Sequence, residues 1–407
     1  MSSRPHVLIA GGGIGGLCLA QGLRRAGISF ALYESSPALA QGGYRLHMNG
    51  EGGRALRQCL PEPLHELYAQ TSRTPPRREV MVELDHQGAE VGARPHIGVA
   101  DDPARPDTAV NRRTLRQIMA VGLDDALHFG HTVTGFTTEA DGVRLHFADG
   151  GSATGDVLVG ADGINSAVRA QLLPEVPVVD TGVRCLYALA PLTAGLAPAL
   201  PDAMHDGFAV AAGPDGVIFA YGLYDPRRPV ADAAAELAPG AAIDPVEPYL
   251  MINVSITPDS PLRRSDEELW GSDAPARHDL MRAAARGWHP DLAGLVEHVD
   301  PASIFPASIR HLRPAEPWTP GPVTLLGDAI HAMPPNFGAG GNTALRDAAA
   351  LARALRRAAT GEVPLVDAIA AYEADLRAEV FPILRAAIDP RSAGAGFQPD
   401  EIYPTRQ

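Results

Sequence analysis

The sequence contains no lysine: all 34 basic residues among its 407 are arginine. That absence excludes a Walker A loop, which needs a lysine on the phosphates. It also excludes a Schiff-base lysine for a pyridoxal cofactor or a carbonyl substrate. Cysteine is scarce. Cys18, Cys59 and Cys185 are odd in number and form no C-x-x-C, which argues against a disulfide framework and a cysteine zinc site and for a reducing, cytoplasmic setting. No run of about 18 apolar residues occurs, so no transmembrane helix is expected. Positive charge is in deficit, because 48 acidic residues leave a net charge of −14. That balance argues against nucleic acid as a partner. With 45% hydrophobic and 20% charged residues, the composition is that of a soluble globular chain. Its length suggests two or three domains at roughly 100–200 residues each. No internal repeat is present.

What is there begins with a βαβ unit. His6–Ala10 is a short apolar strand, Gly11–Gly16 a glycine turn, Leu17–Ala26 a helix closed by Gly27, and Ser29–Glu34 a second strand. The start could mimic a secretion signal, but glycines crowd its middle, so none is expected. Gly11, Gly13 and Gly16 fill G-x-G-x-x-G, with Ile14 and Gly15 between the last two. The first glycine allows the tight turn, the second lets a pyrophosphate approach the backbone, and the third lets helix pack on strand. Free amides and the dipole at the helix start hold the phosphates. Glu34 ends the second strand and Ser35 follows it. A carboxylate there accepts hydrogen bonds from ribose hydroxyls and repels a 2′-phosphate. By itself this unit does not separate NAD from FAD.

Further along, helices are expected over 52–70, 111–123, 276–299, 342–359 and 364–388. Val157–Gly160 and Pro322–Leu326 read as buried strands, and 127–160 as hairpin-like. Alternating segments at 79–98, 183–191, 207–224 and 249–257 predict a mostly antiparallel sheet. His86, His96, His128, His131 and His146 are scattered without a sustained ligand spacing, and no metal is expected.

Two later segments carry a family resemblance. Asp162-Gly163-Ile164-Asn165-Ser166-Ala167-Val168-Arg169 reads D-G-x-x-S-x-x-R. Gly327-Asp328-Ala329-Ile330-His331 reads G-D-A-x-H and continues through Pro334-Pro335 to Gly338-Ala339-Gly340-Gly341-Asn342 and Asp347. With the glycine motif, in this order, they resemble the class A FAD-dependent aromatic monooxygenases. This is the family of para-hydroxybenzoate hydroxylase and of the tetracycline-inactivating and polyketide-tailoring hydroxylases. The resemblance spans the chain to about residue 390.

That resemblance implies an α/β fold in which a Rossmann-like FAD-binding domain (1–72, 99–174 and 311–360) is interleaved with a mostly antiparallel-sheet substrate domain (73–98 and 175–310). A C-terminal helix and tail cover 361–407, and no further C-terminal domain is expected. It implies non-covalent FAD, NADPH or NADH as co-substrate and O2. The reaction expected is hydroxylation of a small aromatic or polycyclic molecule through a flavin C4a-hydroperoxide, in secondary metabolism. Asp328 would bind the ribityl chain. Gly340, Gly341 and Asn342 would turn a helix start toward the pyrimidine edge of the flavin. Asp162 and Gly163 would serve FAD and the nicotinamide nucleotide, Arg112 and Arg45 the cofactor, and Pro335 would sit against the ring. Many relatives have Glu-Arg where this chain has Glu34-Ser35. His331 reads as structural.

Substrate-pocket candidates are Phe208, Phe219, Tyr221 and Tyr224. Alternation puts Phe219 and Tyr221 on one face of a strand and Tyr224 on the other. No general base stands out. A monomer or homodimer is expected. Baeyer–Villiger or epoxidising oxygenation, an FAD oxidase or dehydrogenase, and a flavin-binding protein without turnover are the alternatives on the same scaffold. A flavin halogenase is excluded by the missing lysine.

Overall fold

The computed structural model describes residues 5–39, 44–78, 80–95 and 108–389. Arg4, the Gly42-Gly43 pair, His96 and the tail after Asp389 lie outside the described residues.

A five-stranded parallel sheet runs in the order Val323–Leu325, Val157–Gly160, His6–Ala10, Ser29–Glu34, Leu127–Phe129. Val7 to Ala10 and Val157 to Val159 are fully buried, as strands covered on both faces are. The chain leaves His6–Ala10 toward Ser29–Glu34 on one side and later returns at Val157–Gly160 on the other. Ligands of such sheets bind beyond the carboxyl ends of the strands, at that reversal.

A seven-stranded sheet runs Phe305–His311, Val179–Pro191, Tyr249–Ile256, Val217–Tyr224, Gly207–Ala212, Val80–Asp85, Glu90–Pro95. Its pairings are antiparallel except that of Gly207–Ala212 with Val80–Asp85. Alternation splits its side chains between two environments. Leu186, Phe219, Tyr221, Ile252 and Val254 pack with Met281, Trp288 and Leu292 of the helical segment 274–297. Tyr187, Leu189, Phe208, Tyr224, Tyr249 and Met251 form a separate cluster with Tyr44 on the other face. A ribbon of Arg45–Met48 and Thr108–Asn111 lies against this second face and touches the start of the helix Gly340–Ala359.

Several expected helices are divided. The one expected over 52–70 is Gly50–Cys59 and Glu62–Thr71, parted at Pro61. The one over 276–299 is Ala274–Ala284 and Pro290–Glu297, parted by Gly287 at φ +78°. The one over 364–388 is Leu365–Glu379 and Phe381–Ile388, with Pro382 in the first turn of the second. Proline lacks the N–H and clashes with the preceding turn, so it starts helices and does not continue them. No helix among the described residues is long and apolar enough to cross a membrane.

Candidate active site

The glycine turn lies at the carboxyl end of the central parallel strand. Gly11 adopts φ +108°, and a Cβ on it would lie 2.3 Å from the Ala161 carbonyl oxygen. A Cβ on Gly16 would lie 2.0 Å from the Gly11 carbonyl oxygen, and one on Gly15 2.6 Å from Leu326 Cδ1. Those positions are closed by the protein itself. Gly13 differs, because a Cβ there would meet nothing within 4 Å. Gly13 is the N-cap of Ile14–Ala26, a helix start with neither a capping side chain nor an acidic residue in its first turn. Its unpaired amides therefore open onto space, and an anion satisfies them best.

Glu34 closes this loop from the next strand. Its Oε2 accepts the Gly12 amide at 2.9 Å, and its Oε1 accepts the Ser36 amide at 2.9 Å and the Ser35 hydroxyl at 3.2 Å. Burial alone would raise its pKa, but the hydrogen bonds from Ser36 and Gly12 and the charge of Arg116 hold it below the ordinary value. Arg116 escaped the sequence reading. Its Nη2 and Nε donate to the Gly12 carbonyl at 2.8 and 3.2 Å, so it braces the glycine turn from the helix Arg112–Ala120. Arg112, its neighbour one turn earlier, donates its amide to the Tyr44 carbonyl at 3.0 Å and places its guanidinium 5.9 Å from the Tyr44 ring.

Asp162 and Gly163 follow the adjacent strand. Asp162 Oδ2 accepts the Ala167 and Val168 amides at 2.8 and 3.3 Å, capping a short helix, while Oδ1 is buried without a partner. Burial holds its pKa above the ordinary value against hydrogen bonds from Ser166, Val168 and Ala167. A buried acceptor left open calls for a donor, such as a ligand hydroxyl.

Gly327 and Asp328 follow the last strand of the parallel sheet. Gly327 takes φ +61°, a conformation that favours glycine, and Asp328 is exposed. A Cβ on Gly340 would come 3.9 Å from Asp328 Oδ1, so the carboxylate and the start of the helix Gly340–Ala359 share one corner. That helix begins two residues earlier than expected and has no side-chain cap, which leaves the Gly340 and Gly341 amides free for a ligand. The Asn342 side chain is committed elsewhere. Its Oδ1 accepts the Asn49 amide at 3.0 Å, and its Nδ2 donates to the His47 and Gly338 carbonyls at 2.9 and 3.0 Å. Its role in holding a cofactor is thus confined to the backbone. Pro335 is exposed in the 3-10 turn Pro335–Phe337 just before Gly338.

The four aromatic candidates separate. Phe219 and Tyr221 stack at 5.9 Å, and Phe219 meets Trp288 edge-on at 4.9 Å. They belong to the core beneath the sheet and do not line a pocket on the ribbon side. Alternation showed that they share a face but not which face the helices of 274–297 cover. Tyr224 is on the ribbon side but is fully buried, with its hydroxyl donating to the Thr71 carbonyl at 2.8 Å. Phe208 remains half-buried there, with the Arg45 guanidinium 5.3 Å from its ring. Arg45 itself lies on the sheet, donating from Nε to the Leu223 carbonyl at 3.2 Å. The sequence reading missed a stack on the same side: Tyr44 on Tyr187 at 5.1 Å and Tyr187 on Phe305 at 5.4 Å. His128 and His131 flank Tyr33 at 5.0 and 5.6 Å as part of an aromatic cluster. Among the described residues no group of His, Cys, Asp or Glu could hold a metal ion.

The open cradle at Gly13, the orphaned Asp162 Oδ1 and the uncapped start at Gly340 fit a long ligand with a diphosphate, hydroxyls and an electron-poor ring, which is the chemistry of FAD. Comparison with known proteins agrees. A family model described as FAD binding domain matches residues 272–384. The aurachin C monooxygenase/isomerase of Stigmatella aurantiaca is 32% identical over 373 residues, covering 90% of this chain and 84% of the relative. A candidate FAD-containing monooxygenase from Photorhabdus luminescens superposes with a TM-score of 0.77 at 30% identity, covering 94% of this chain and 97% of that one. The dual O-methyltransferase/FAD-dependent monooxygenase elcB of Phaeosphaeria nodorum is 31% identical over 91% of this chain, but the chain spans only 42% of its length. The chain belongs to the FAD-dependent monooxygenase family.

Proposed function

We propose that this chain is an NADH- or NADPH-dependent FAD monooxygenase that hydroxylates an aromatic or polycyclic small molecule, in secondary metabolism. One arrangement carries the reading: Asp328 and the uncapped helix start at Gly340 share a corner beyond the parallel sheet, and the ribbon beside that corner leads to the aromatic face of the large sheet. The name of the aurachin C relative supports a monooxygenase reaction.

FAD, when bound, supplies the hydride acceptor and the centre at which oxygen is activated. The chain's own residues do the rest. The amides behind Gly13 would hold the diphosphate, Glu34 and Asp328 would accept ribose and ribityl hydroxyls, and the helix start at Gly340 would favour negative charge on the pyrimidine edge. Tyr44, Tyr187 and Phe305 offer a flat apolar wall that orients a planar ring and excludes water.

The test is reduction of the FAD-loaded protein by NADH and by NADPH without oxygen, followed by oxygen-18 gas and an aromatic substrate. A product carrying one labelled oxygen atom is expected. An unlabelled, dehydrogenated product with release of hydrogen peroxide would replace this reading by an oxidase. A protein that neither purifies with FAD nor takes it up would end it.

A further inference from the structure

We propose that Arg45 and Asn253 form a donor-only substrate anchor on the ribbon side of the large sheet, which takes an anionic acceptor oxygen of a planar aromatic ligand, either a ring carboxylate or an ionised ring hydroxyl. The proposal deepens the monooxygenase reading and rests on it for the location of the substrate.

Arg45 is 6% exposed and opens the ribbon strand Arg45–Met48. Its side chain lies over Gly222, where a Cβ would come 2.7 Å from Arg45 Cδ and 3.2 Å from Phe208 Cδ2. The Nε bond to the Leu223 carbonyl is its one hydrogen bond among the described residues, and no carboxylate there pairs with it. A buried guanidinium without a counter-charge is costly. Burial, reinforced by the charge of Arg73, brings its pKa down to about 9. An anion at its terminal nitrogens relieves that cost.

Asn253 is also 6% exposed. It stands between Tyr187 and Ala220 in the sheet register. Its Oδ1 accepts the Ser255 hydroxyl at 2.9 Å, and that hydroxyl sits 3.1 Å from Cys185 Sγ. The acceptor half of the amide is therefore occupied, and the buried Nδ2 meets no full hydrogen-bond acceptor, its approach being to Cys185 Sγ, a weak one. Ala220 and Gly222 are two residues apart on one strand and share a face, so Arg45 and Asn253 border the same patch. The patch is floored by alanine and glycine and walled by the Tyr187 stack on one side and Phe208 on the other. Both open groups donate and neither accepts. A ligand that satisfies them brings acceptor oxygens, and the unpaired charge selects an anion over a neutral carbonyl.

The experiment titrates the FAD-loaded protein with 2-naphthoate, with 2-hydroxy-1,4-naphthoquinone as an ionised ring hydroxyl, and with neutral 2-naphthamide. Calorimetry and the flavin absorption spectrum report binding. At least one anion is expected to bind about tenfold or more tighter than the amide, and which anion does so identifies the group. Arg45→Gln is expected to erase that preference and to keep FAD, an outcome that would also take Arg45 out of the cofactor contacts that the family resemblance implies, and Arg45→Lys to keep part of it. Asn253→Leu is expected to weaken anion and amide alike. Equal affinity for anion and amide in the wild type overturns the proposal. So does an Arg45→Gln protein that loses FAD or keeps the preference. If Arg45→Gln does not fold, loss of the preference in Arg45→Lys, or unchanged affinities in Asn253→Leu, overturns it. A protein that holds FAD and incorporates labelled oxygen, yet does not prefer anions, loses the anchor and keeps the monooxygenase reading.

Discussion

His331 Nε2 lies 2.6 Å from Asp347 Oδ2, and neither side chain has any exposed surface. The same carboxylate oxygen accepts the Gly327 amide at 3.1 Å. The pair thus fixes the turn that presents Asp328. Removing one member of a buried pair leaves the other charge uncompensated, at a cost of about 3–5 kcal/mol. Asp347→Ala is expected to lower the urea midpoint by a corresponding amount and to loosen FAD. An unchanged midpoint would show that the pair contributes little.

The same pair gives a pH dependence with a definite sign. Burial disfavours a charged His331, but the charge and hydrogen bond of Asp347, together with Asp328, raise its pKa above the ordinary value. A group with a raised folded pKa stabilises fully below its unfolded pKa and loses that contribution as pH rises through the folded one. Thermal stability of the cofactor-free protein should therefore fall as pH rises above about 6.5, the unfolded histidine value. His331→Asn should flatten that decline, and a parallel decline in both proteins would remove the attribution.

The glycine motif offers a sharper contrast. Gly16→Ala forces a methyl to 2.0 Å from the Gly11 carbonyl and is expected to unfold the turn. Gly13 has φ −72° and open space where its side chain would be. Gly13→Val is therefore expected to keep the cofactor-free melting temperature and to lose FAD, measured by flavin absorbance per protein after purification. A Gly13→Val protein with full FAD would mean that the diphosphate lies elsewhere.

The acid side tests Glu34. Its pKa is held low, so its stabilisation is present above the unfolded glutamate value and is lost as pH falls through the folded one. Glu34→Gln keeps the shape but weakens acceptance from the Gly12 and Ser36 amides. The wild type should show a steeper loss of stability below about pH 4.3 than the variant, seen by circular dichroism on acid titration.

The parallel sheet and its glycine loop were legible because local rules determine them: apolar strand, fixed glycine spacing, helix, then a carboxylate. The division of the long helices was also written in Pro61, Gly287 and Pro382, but periodicity runs through such breaks and hides them. Which face of the large sheet the helices cover was not legible. Strand alternation pairs Phe219 with Tyr221, yet the choice of face depends on the helices of 274–297 packing across the sheet, a contact between distant segments. Tyr44, Arg116 and Asn253 carried no motif. Their roles come from what the fold sets beside them: Tyr187 for the first, the Gly12 carbonyl for the second, and the neighbouring strands that bury its amide for the third.

Asp328 and Asn342 were read alike from the sequence, and the structure separates them into two different experiments. Asp328 is exposed at the corner it shares with Gly340, so its removal takes away an acceptor without opening the core. Asn342 is fully buried and makes three hydrogen bonds: those with the His47 carbonyl and the Asn49 amide tie its helix to the end of the Arg45–Met48 strand and the residue after it, and the third goes to the Gly338 carbonyl of the preceding loop. Asp328→Ala should fold, lose only the part of the His331 stabilisation that the Asp328 charge supplies, and purify with little FAD. Asn342→Ala strands one buried amide and two carbonyls, each costing about 1–3 kcal/mol, and should lower the melting temperature before any question of FAD arises. If Asp328→Ala purifies fully loaded, the ribityl chain is held by another residue. If Asn342→Ala melts like the wild type but loses FAD, its side chain serves the cofactor after all, and the clamp between ribbon and helix is not what stabilises this corner.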